Sequence, residues 1–441
     1  MIKMATPQLV GLPASLTGKF KGSFAYNTIK DRLPLILTRV IDTLHRHKHE
    51  FFEEHGEKGI EAEKKAISYL SKLRNELQTD KPLIALNDNL PDTPLWNQYL
   101  EYHQNVSNEP PSWFQSPWLY IECYMYRRIH EALIQSPPIS NFDVFKEEKN
   151  HAFFESQQAM IVLSTYLQEL LKNIADLDEK RLKEEFCKLI QVSLWGNKCD
   201  LSISAGADNS QKSDPLQSVE ELKTFILVDH MEKLWSLLIN KNKTPTRLDM
   251  VLDNAGFELI ADLVLADFLL SSELITEIHF HGKIIPWYVS DTTKHDMDWT
   301  IEQMKSANHK WMSRCGVSWE GYLKKGVWIY HDHLFWTLPH EFSSMAQIAP
   351  DLYTELQKSS LIIFKGDLNY RKLTGDRKWE FTVPFHQALN NFQPALLCSL
   401  RTLKSDTQVG LKPGQGEQLT NIEPEWMVNG KYGIIQFDAT S

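Results

Sequence analysis

Polar side chains follow several apolar runs of this chain at the point where each run ends. The run at residues 247–252 leads directly into Asp253 and Asn254, and a helical pattern begins at about Phe257. In an open α/β sheet, ligands bind beyond the carboxyl ends of the strands, where loops and helix N-termini meet. Because Asp and Asn are also common helix caps, this segment alone does not establish a site.

A second acidic segment contains Asp291 and follows the apolar run at residues 284–289, which we expect to be another strand. A helix cap would explain this segment as well. Together, however, Asp253, Asn254 and Asp291 offer only oxygen ligands, which hard cations such as Mg²⁺ and Mn²⁺ prefer. These strand ends therefore predict a divalent metal site, with Mn²⁺ or Mg²⁺ as the first candidates and Co²⁺ or Ni²⁺ as others.

Cationic residues follow two further apolar runs, at residues 361–364 and 394–400. The first run delivers segment 365–371, in which a glycine lets the backbone approach a ligand, and the second delivers Arg401 and Lys404. Either end alone is an ordinary solvated strand end. Four strand ends that together form a metal cage and a cationic clamp are not expected of helix caps, so we predict a phosphate-binding metal site.

The elements that would position these residues are of two kinds. In residues 27–78 the apolar positions recur at three- and four-residue spacing, which is typical of amphipathic helices. Helical patterns return at residues 118–134 and 158–174, after a stretch rich in Pro, Trp and Asn at residues 91–117 that indicates a connection. Residues 1–201 are therefore expected to be mainly helical.

A polar run without periodicity, residues 202–218, indicates a loop or linker. Beyond it, short apolar runs such as residues 275–280 alternate with helical patterns, which predicts a largely parallel sheet. The fold class is therefore α/β, with a largely parallel sheet in a domain at residues 219–441 and an N-terminal α-helical domain. We expect the site to be shared with the helical region.

Composition excludes several classes of protein. The chain has 441 residues, with 47 basic and 57 acidic side chains and a net charge of −10, so neither direct nucleic-acid binding nor attraction to an anionic membrane is expected. Its five cysteines are scattered, which indicates reduced thiols. No apolar segment reaches the roughly 20 residues that span a bilayer. We expect a cytoplasmic or nuclear protein that is neither secreted nor inserted into a membrane.

Two pairs of histidines have the spacing of a strand face: His279 with His281, and His331 with His333. A metal site would need a third ligand, and none is near in sequence. We therefore interpret these side chains as satisfied or surface histidines.

Several motifs carry a family resemblance as a set: residues 252–258, 290–291, 365–370 and the Arg-Thr-Leu-Lys segment 401–404. Further matching segments are residues 22–26, 73–77 and 194–201, so the resemblance covers nearly the whole chain. The chain resembles the damage-control phosphatase family, in the subfamily marked by an Arg-Thr-x-Lys motif. This resemblance implies a helical region packed on a three-layer α/β/α catalytic domain at residues 219–441. It also implies metal-dependent hydrolysis of small sugar phosphates such as fructose 1-phosphate and fructose 6-phosphate.

The resemblance also implies roles for individual residues. The metal ligands fall on Asp253, Asn254 and Asp291, and the catalytic residues on Asp253, Asp291 and Asp367. The substrate contacts fall on Asp253, Asn254, Asp367, Leu368, Asn369, Tyr370, Arg371 and Lys404. The attacking group is either a metal-activated water or the carboxylate of Asp253, and Asp367 either holds sugar hydroxyls or acts as the base.

Two other functions remain as alternatives. The first is an S-adenosylmethionine-dependent O-methyltransferase that acts on glutamate or aspartate carboxylates of a protein partner, with Glu258 and Asp291 near the cofactor. The usual doubly wound fold of such methyltransferases requires a glycine-rich first loop. Only Gly256 is present at that position in this chain, so methyl transfer ranks second. The other alternative is a non-catalytic binding protein, which would bind no metal.

Overall fold

The structure, a computed structural model, describes residues 11–106, 109–196, 214–239 and 246–439. Within these ranges seven strands form one sheet in the order β1-β7-β6-β5-β2-β3-β4. The strands are β1 Ile226–Asp229, β2 Arg247–Val251, β3 Glu277–Gly282, β4 Trp328–Asp332, β5 Leu361–Lys365, β6 Leu397–Thr402 and β7 Gly433–Asp438. Strands β2 to β6 are parallel, while β7 and β1 run in the opposite direction. The predicted α/β class with a largely parallel sheet is confirmed.

Helices account for most of the remaining described chain. The first group is α1 Phe24–Asn27, α2 Leu33–Arg46, α3 Lys48–His55, α4 Glu57–Gln78, α5 Thr93–Val106, α6 Trp118–Ile134 and α7 Lys146–Glu155, with a π-helical turn at Thr28–Arg32. The next is α8 Gln157–Lys172, α9 Glu179–Gly196, α10 Pro215–Leu222, α11 Met231–Leu238, α12 Phe257–Ser271, α13 Lys294–Lys305 and α14 Lys310–Lys325. The last is α15 Met345–Ile348, α16 Pro350–Leu356, α17 Gly366–Thr374, α18 Phe385–Ala388 and α19 Gln415–Ile422. None of the described helices is long and apolar enough to span a membrane.

Strand β2 lies at a topological switch point of the sheet. It pairs with β5 on one side and β3 on the other. The chain passes from β2 to β3 and β4 on one side, and then returns to β5 on the opposite side. Connections that diverge in this way leave a crevice beyond the carboxyl ends of the two strands, where open α/β sheets bind ligands.

Two apolar clusters, one on each face of the sheet, form the core. Strand β5 alternates between them: Leu361 and Ile363 join one cluster, and Ile362 and Phe364 join the other, as the two-residue period of a strand requires. Helices α1 to α6 contribute to the cluster of Ile362, whereas α8, α9 and α12 contribute to the cluster of Leu361. Helices α8 and α9, although early in the sequence, therefore belong to an outer layer of the α/β/α sandwich.

Some predicted elements differ from the structure. The strand predicted at residues 284–289 is wrong: β3 ends at Gly282, and Tyr288 and Val289 have φ values of 47° and 71°, which a strand excludes. The apolar run is a loop: Ile284 is exposed, whereas the aromatic side chains of Trp287 and Tyr288 pack together in the core. The interpretation of residues 91–117 as a connection is also wrong in part, since α5 occupies Thr93–Val106.

The predicted loop at residues 202–218 is tested only at its end. Residues 202–213 lie outside the described ranges. Helix α10 begins at Pro215, and Asp214 caps it by accepting a hydrogen bond from the backbone N–H of Leu216, so the loop prediction is wrong for residues 215–218. Proline is well suited to the first turn of a helix because its missing N–H is not needed there.

The histidine pairs of β3 and β4 have protein partners, as we expected. His281 Nε2 lies 2.7 Å from Asp249 Oδ1, and Arg247 donates two hydrogen bonds of 2.7 Å to the same carboxylate. The Nδ1 atom of His279 lies 2.7 Å from Nε2 of His331. Burial favours the neutral acid, but the bonds from His281 and Arg247 outweigh it and lower the pKa of Asp249 to about 2.

Asp249→Asn is expected to destabilise the fold by about 2 kcal/mol at pH 7, the energy equivalent of the lowered carboxyl pKa. Since this pKa is depressed, the stabilisation is present above pH 4 and disappears as the pH falls toward 2. Urea unfolding of both proteins from pH 7 to pH 3 measures the difference, which should shrink with falling pH. Asp298→Asn, which breaks an exposed pair with Lys294, is the control and should change stability by less than about 1 kcal/mol.

Candidate active site

The backbone brings Asn254 and Asp291 opposite each other at the carboxyl end of β2. The N–H of Ala255 donates to the carbonyl of Ser290, and the N–H of Thr292 donates to the carbonyl of Asp253, both at 2.8 Å. These two bonds flank the antiparallel bridge between Asn254 and Asp291. A bridge of this kind is a non-hydrogen-bonded pair, in which side chains lie closest together.

Asp253 joins this pair through its neighbour. The amide nitrogen Nδ2 of Asn254 donates to Asp253 Oδ2 at 2.9 Å, and Ser290 Oγ donates to Asn254 Oδ1 at 2.5 Å. Asp253, Asn254 and Asp291 are each no more than 4% exposed. The three predicted metal ligands thus lie together in a buried cluster, hereafter the Asp-Asn-Asp cluster.

Gly366 brings the end of β5 against this cluster. Its φ is +82°, and a Cβ atom built on it would lie 1.8 Å from Asp253 Oδ2 and 2.2 Å from Asp253 Cγ. Only a glycine allows both this backbone conformation and this approach. The carboxyl ends of β2 and β5 therefore meet at the switch point through direct contact of Gly366 with the Asp253 carboxylate.

A buried ion-pair network of Glu258, Lys365 and Asp262 supports the side chain of Asn254. Glu258 Oε2 accepts from Asn254 Nδ2 at 2.7 Å, while Glu258 Oε1 lies 3.1 Å from Lys365 Nζ. Lys365 Nζ also lies 2.9 Å from Asp262 Oδ1 and donates to the carbonyl of Ser193 in α9 at 2.6 Å. Burial raises the pKa of Asp262 to about 6, with Lys365 opposing the shift. Lys365 is therefore a structural cation rather than a group that faces a phosphate.

A second lysine lies on the other side of the cluster. Lys283 Nζ is 3.0 Å from Asp291 Oδ2, and both side chains are 2% exposed. Lys283 follows β3 directly, and its backbone N–H donates to the carbonyl of Thr292 at 2.9 Å. The cation therefore neutralises part of the negative charge of the cluster and fixes the orientation of the Asp291 carboxylate.

The substrate segment predicted at residues 367–371 begins with Asp367, whose carboxylate accepts three hydrogen bonds from residues at the end of β6 and just beyond it. Arg401 Nε, the backbone N–H of Lys404 and Ser405 Oγ all donate to Asp367 Oδ1, at 2.7, 3.0 and 3.1 Å. Burial alone would raise the pKa of Asp367, but the charges of Arg401 and Arg371 outweigh it and lower the pKa. Asp367 thus stays ionised, and the ends of β5 and β6 are joined at its Oδ1.

The other predicted substrate residues have side chains that engage the protein. Asn369 Nδ2 donates to the carbonyl of Lys365 at 2.7 Å, Leu368 is buried in the apolar core, and the Tyr370 ring stacks on Phe385. The guanidinium of Arg371 binds carboxylates at the helical side of the segment. Their side chains therefore fix the shape of the segment, and their predicted substrate contacts stay predictions.

The donor chemistry of the cluster fits a hard divalent cation. Among the described residues no three His, Cys, Asp or Glu side chains come together as a metal site, and the Asp-Asn-Asp cluster accordingly contains two carboxylates and one amide. Mg²⁺ and Mn²⁺ are commonly held by one or two carboxylates with other oxygens completing the shell. The cluster therefore has the ligand types that were predicted, and the identity of the cation stays a prediction.

Glu258→Gln is expected to weaken Mn²⁺ binding by about 10- to 100-fold, the usual effect of removing the partner of a metal ligand. The charge of Glu258 both anchors the Asn254 amide and balances Lys365. Mn²⁺ titration followed by electron paramagnetic resonance measures the affinity directly. Glu302→Gln, an exposed carboxylate paired with Lys305, is the control and should bind Mn²⁺ as the wild type does. Equal affinity in both variants would contradict a supporting role for Glu258.

Sequence reasoning missed two features of this site. Lys283 could have been found, because it follows an apolar run in the same way as Asp253 does. The pairing of Lys365 with Glu258 and Asp262 could not, because it depends on how α12 packs against β5.

Comparisons with known proteins identify the family of the chain. A family model described as the damage-control phosphatase ARMT1-like domain matches residues 28–419. The chain belongs to this family.

Curated relatives cover almost the whole chain. Proteins named damage-control phosphatase ARMT1 from Macaca fascicularis and Homo sapiens are 68% and 67% identical over 435 residues, covering 97% of this chain and 99% of each relative. The Danio rerio protein of the same name is 61% identical and covers 97% of both chains. A crystal structure of a DUF89 family protein from Pyrococcus horikoshii aligns with a TM-score of 0.40 and 14% identity, covering 80% of this chain and 92% of that one.

Proposed function

We propose that this protein is a divalent-metal-dependent phosphatase that hydrolyses small sugar phosphates such as fructose 1-phosphate and fructose 6-phosphate. The observation that carries the proposal is the meeting of Asp253, Asn254 and Asp291 at the switch point of the sheet, with Gly366 against the Asp253 carboxylate. The names of its relatives from macaque, human and zebrafish support a phosphatase.

The residues around the cluster suit phosphoryl transfer. Asp253, Asn254 and Asp291 would hold the cation, preferably Mn²⁺ or Mg²⁺, which supplies Lewis-acid polarisation of the phosphoryl oxygens. In this proposal Lys404, which is 5% exposed and donates its backbone N–H to Asp367, neutralises the remaining oxygens. The nucleophile is either water or the Asp253 carboxylate.

Asp367 is suited to bind the sugar rather than to act as a base. Its three hydrogen bonds from Arg401, Lys404 and Ser405 all reach Oδ1, and the lowered pKa keeps the carboxylate ionised at neutral pH. In this proposal Oδ2 accepts hydrogen bonds from sugar hydroxyls. A weak base of this kind is a poor proton acceptor but a strong hydrogen-bond acceptor.

Methyl transfer is not part of the proposal. Glu258, which the alternative places near S-adenosylmethionine, is fully buried between Asn254 and Lys365 and serves the Asp-Asn-Asp cluster. Two carboxylates and an amide around one point also suit a cation better than the carboxylate of an amino-acid cofactor.

Phosphate release from a substrate panel tests the proposal. The panel contains fructose 1-phosphate, fructose 6-phosphate, phosphoserine and p-nitrophenyl phosphate, each with Mn²⁺, Mg²⁺, Co²⁺, Ni²⁺ or a chelator. We expect turnover of the fructose phosphates that the chelator abolishes. Turnover that persists in chelator would overturn the metal dependence, and faster turnover of phosphoserine would overturn the preference for sugars.

A further inference from the structure

We propose that Glu122, a carboxylate near the start of α6, is a positioning residue that holds the loop of Asp291 and the segment of Asp367 in register with each other. This inference rests on the proposed function, since it takes Asp291 to be a metal ligand. Glu122 is 0% exposed, and its side chain meets three partners from different parts of the chain. Arg32 donates to Oε1 at 2.5 Å, Arg371 donates to Oε2 at 2.5 Å, and the hydroxyl of Tyr288 donates to Oε2 at 3.4 Å.

The first segment held by Glu122 is the loop that presents Asp291. Tyr288 and Val289 have φ values of 47° and 71°, in a region that bulky and β-branched residues rarely adopt. Strain of this kind persists only where the surroundings over-determine the backbone. Helix α6 supplies two such restraints: Glu122 accepts from the Tyr288 hydroxyl, and the ring of Tyr126 stacks on the Tyr288 ring at 4.6 Å.

The second segment is the start of α17, which carries Asp367. The Arg371 guanidinium donates to Glu122 through Nη1 and to Asp376 through Nε and Nη2, at 2.9 and 3.1 Å. Its carbon Cζ lies 3.7 Å from the ring centroid of Trp118. All three guanidinium nitrogens therefore bind protein groups, and Arg371 acts as the anchor of the segment instead of a phosphate ligand.

The three α6 residues in these contacts share one helix face. Trp118, Glu122 and Tyr126 are spaced by four residues, which places them one above another along the helix. This face of α6 contacts both the loop of Asp291 and the segment of Asp367, so one rigid helix connects them. Because the Glu122 carboxylate accepts hydrogen bonds from both segments, removal of its charge should disturb both of them together.

Glu122→Gln keeps the size of the side chain but leaves the buried guanidinium of Arg371 and the partly buried one of Arg32 to share a neutral amide. A displacement of about 1 Å in a catalytic segment lowers rates by about 10²-fold. We therefore expect Glu122→Gln to lower kcat/KM for fructose 1-phosphate by about 10²-fold and to weaken Mn²⁺ binding by about 10-fold. Arg371→Lys should lower kcat more than it raises KM, because the side chain positions the segment without touching the phosphate.

The matched control is Glu131→Gln, nine residues further along the same helix. Glu131 is also buried, and it pairs with Arg128 at 3.3 Å in the helical region. Both variants remove one buried carboxylate from α6, so a general loss of stability would affect them alike. We compare kcat, KM, the Mn²⁺ dissociation constant and Tm of the two variants with those of the wild type.

Tyr288→Phe keeps the test decisive if Glu122→Gln fails to fold, because it removes only one hydroxyl. We expect it to weaken Mn²⁺ binding at least about threefold, and to have no further effect in the Glu122→Gln background if that variant folds. Glu122→Gln that behaves as Glu131→Gln does, or Tyr288→Phe with wild-type Mn²⁺ affinity, would overturn the positioning role. A wild-type protein that binds no Mn²⁺ would instead refute the proposed function.

Discussion

Asp253→Asn is expected to lower kcat/KM for fructose 1-phosphate by a factor on the order of 10³ while the protein stays folded. The substitution keeps the shape of the side chain and removes its charge. Both mechanisms that remain open need that charge, because a neutral amide oxygen holds a divalent cation more weakly than a carboxylate does and cannot act as the attacking carboxylate. Phosphate release at saturating Mn²⁺ measures the effect, and circular dichroism confirms the fold.

The control for this prediction is Asp267→Asn in α12. Asp267 is buried as deeply as Asp253, and it accepts hydrogen bonds from the Trp319 ring and the Tyr322 hydroxyl instead of joining the cluster. It should lose stability yet keep kcat/KM within about threefold of the wild type. Activity of Asp253→Asn above one tenth of the wild-type value would exclude the Asp-Asn-Asp cluster as the catalytic centre.

Gly366→Ala is expected to lower kcat/KM by about 10²-fold, although it adds a single methyl group. That methyl would lie 1.8 Å from Asp253 Oδ2, against an ordinary contact of at least 3.4 Å. The carboxylate or the end of β5 must therefore move by more than 1 Å, and a displacement of that size has about this effect on rate. The substitution also strains the backbone at φ +82° by about 1–2 kcal/mol.

Gly414→Ala separates the two effects of that substitution. Gly414 has φ +78°, and a Cβ atom built on it meets nothing within 4 Å. Backbone strain should lower the unfolding free energy of both variants by about 1–2 kcal/mol, measured with urea, and the overlap with Asp253 should add to the loss in Gly366→Ala, which alone should lose activity. Similar activities in the two variants would mean that β5 does not approach the reacting atoms.

The positions of strands could be predicted from the sequence where an apolar run is followed directly by polar residues. Strands β2 and β5 were predicted almost to the residue, because their buried runs end abruptly at Asp253 and Lys365. Strand β7 was not predicted, because Gln436 interrupts its short apolar run; it lies antiparallel to β6. Residues 284–289 resemble a strand in composition, and only packing makes them a loop.

The site itself was partly predictable for a related reason. Ligand types at strand ends could be recognised from the sequence, so Asp253, Asn254 and Asp291 were found as candidates and the structure brings them together. Which cations face the ligand could not be recognised. The Lys365 side chain points toward the buried carboxylate of Glu258. The Arg371 side chain points toward the buried carboxylate of Glu122 in α6. Such choices depend on contacts between segments far apart in sequence.

Mn²⁺ binding shows directly whether Asp253, Asn254 and Asp291 form a divalent metal site. Mn²⁺ is titrated into the wild type, Asp291→Asn and the control Asp267→Asn, and free Mn²⁺ is measured by electron paramagnetic resonance. We expect one Mn²⁺ site in the wild type and in Asp267→Asn, with affinity at least about 10-fold weaker in Asp291→Asn. Equal Mn²⁺ affinity in all three proteins, or no binding by the wild type, would contradict the proposed metal site.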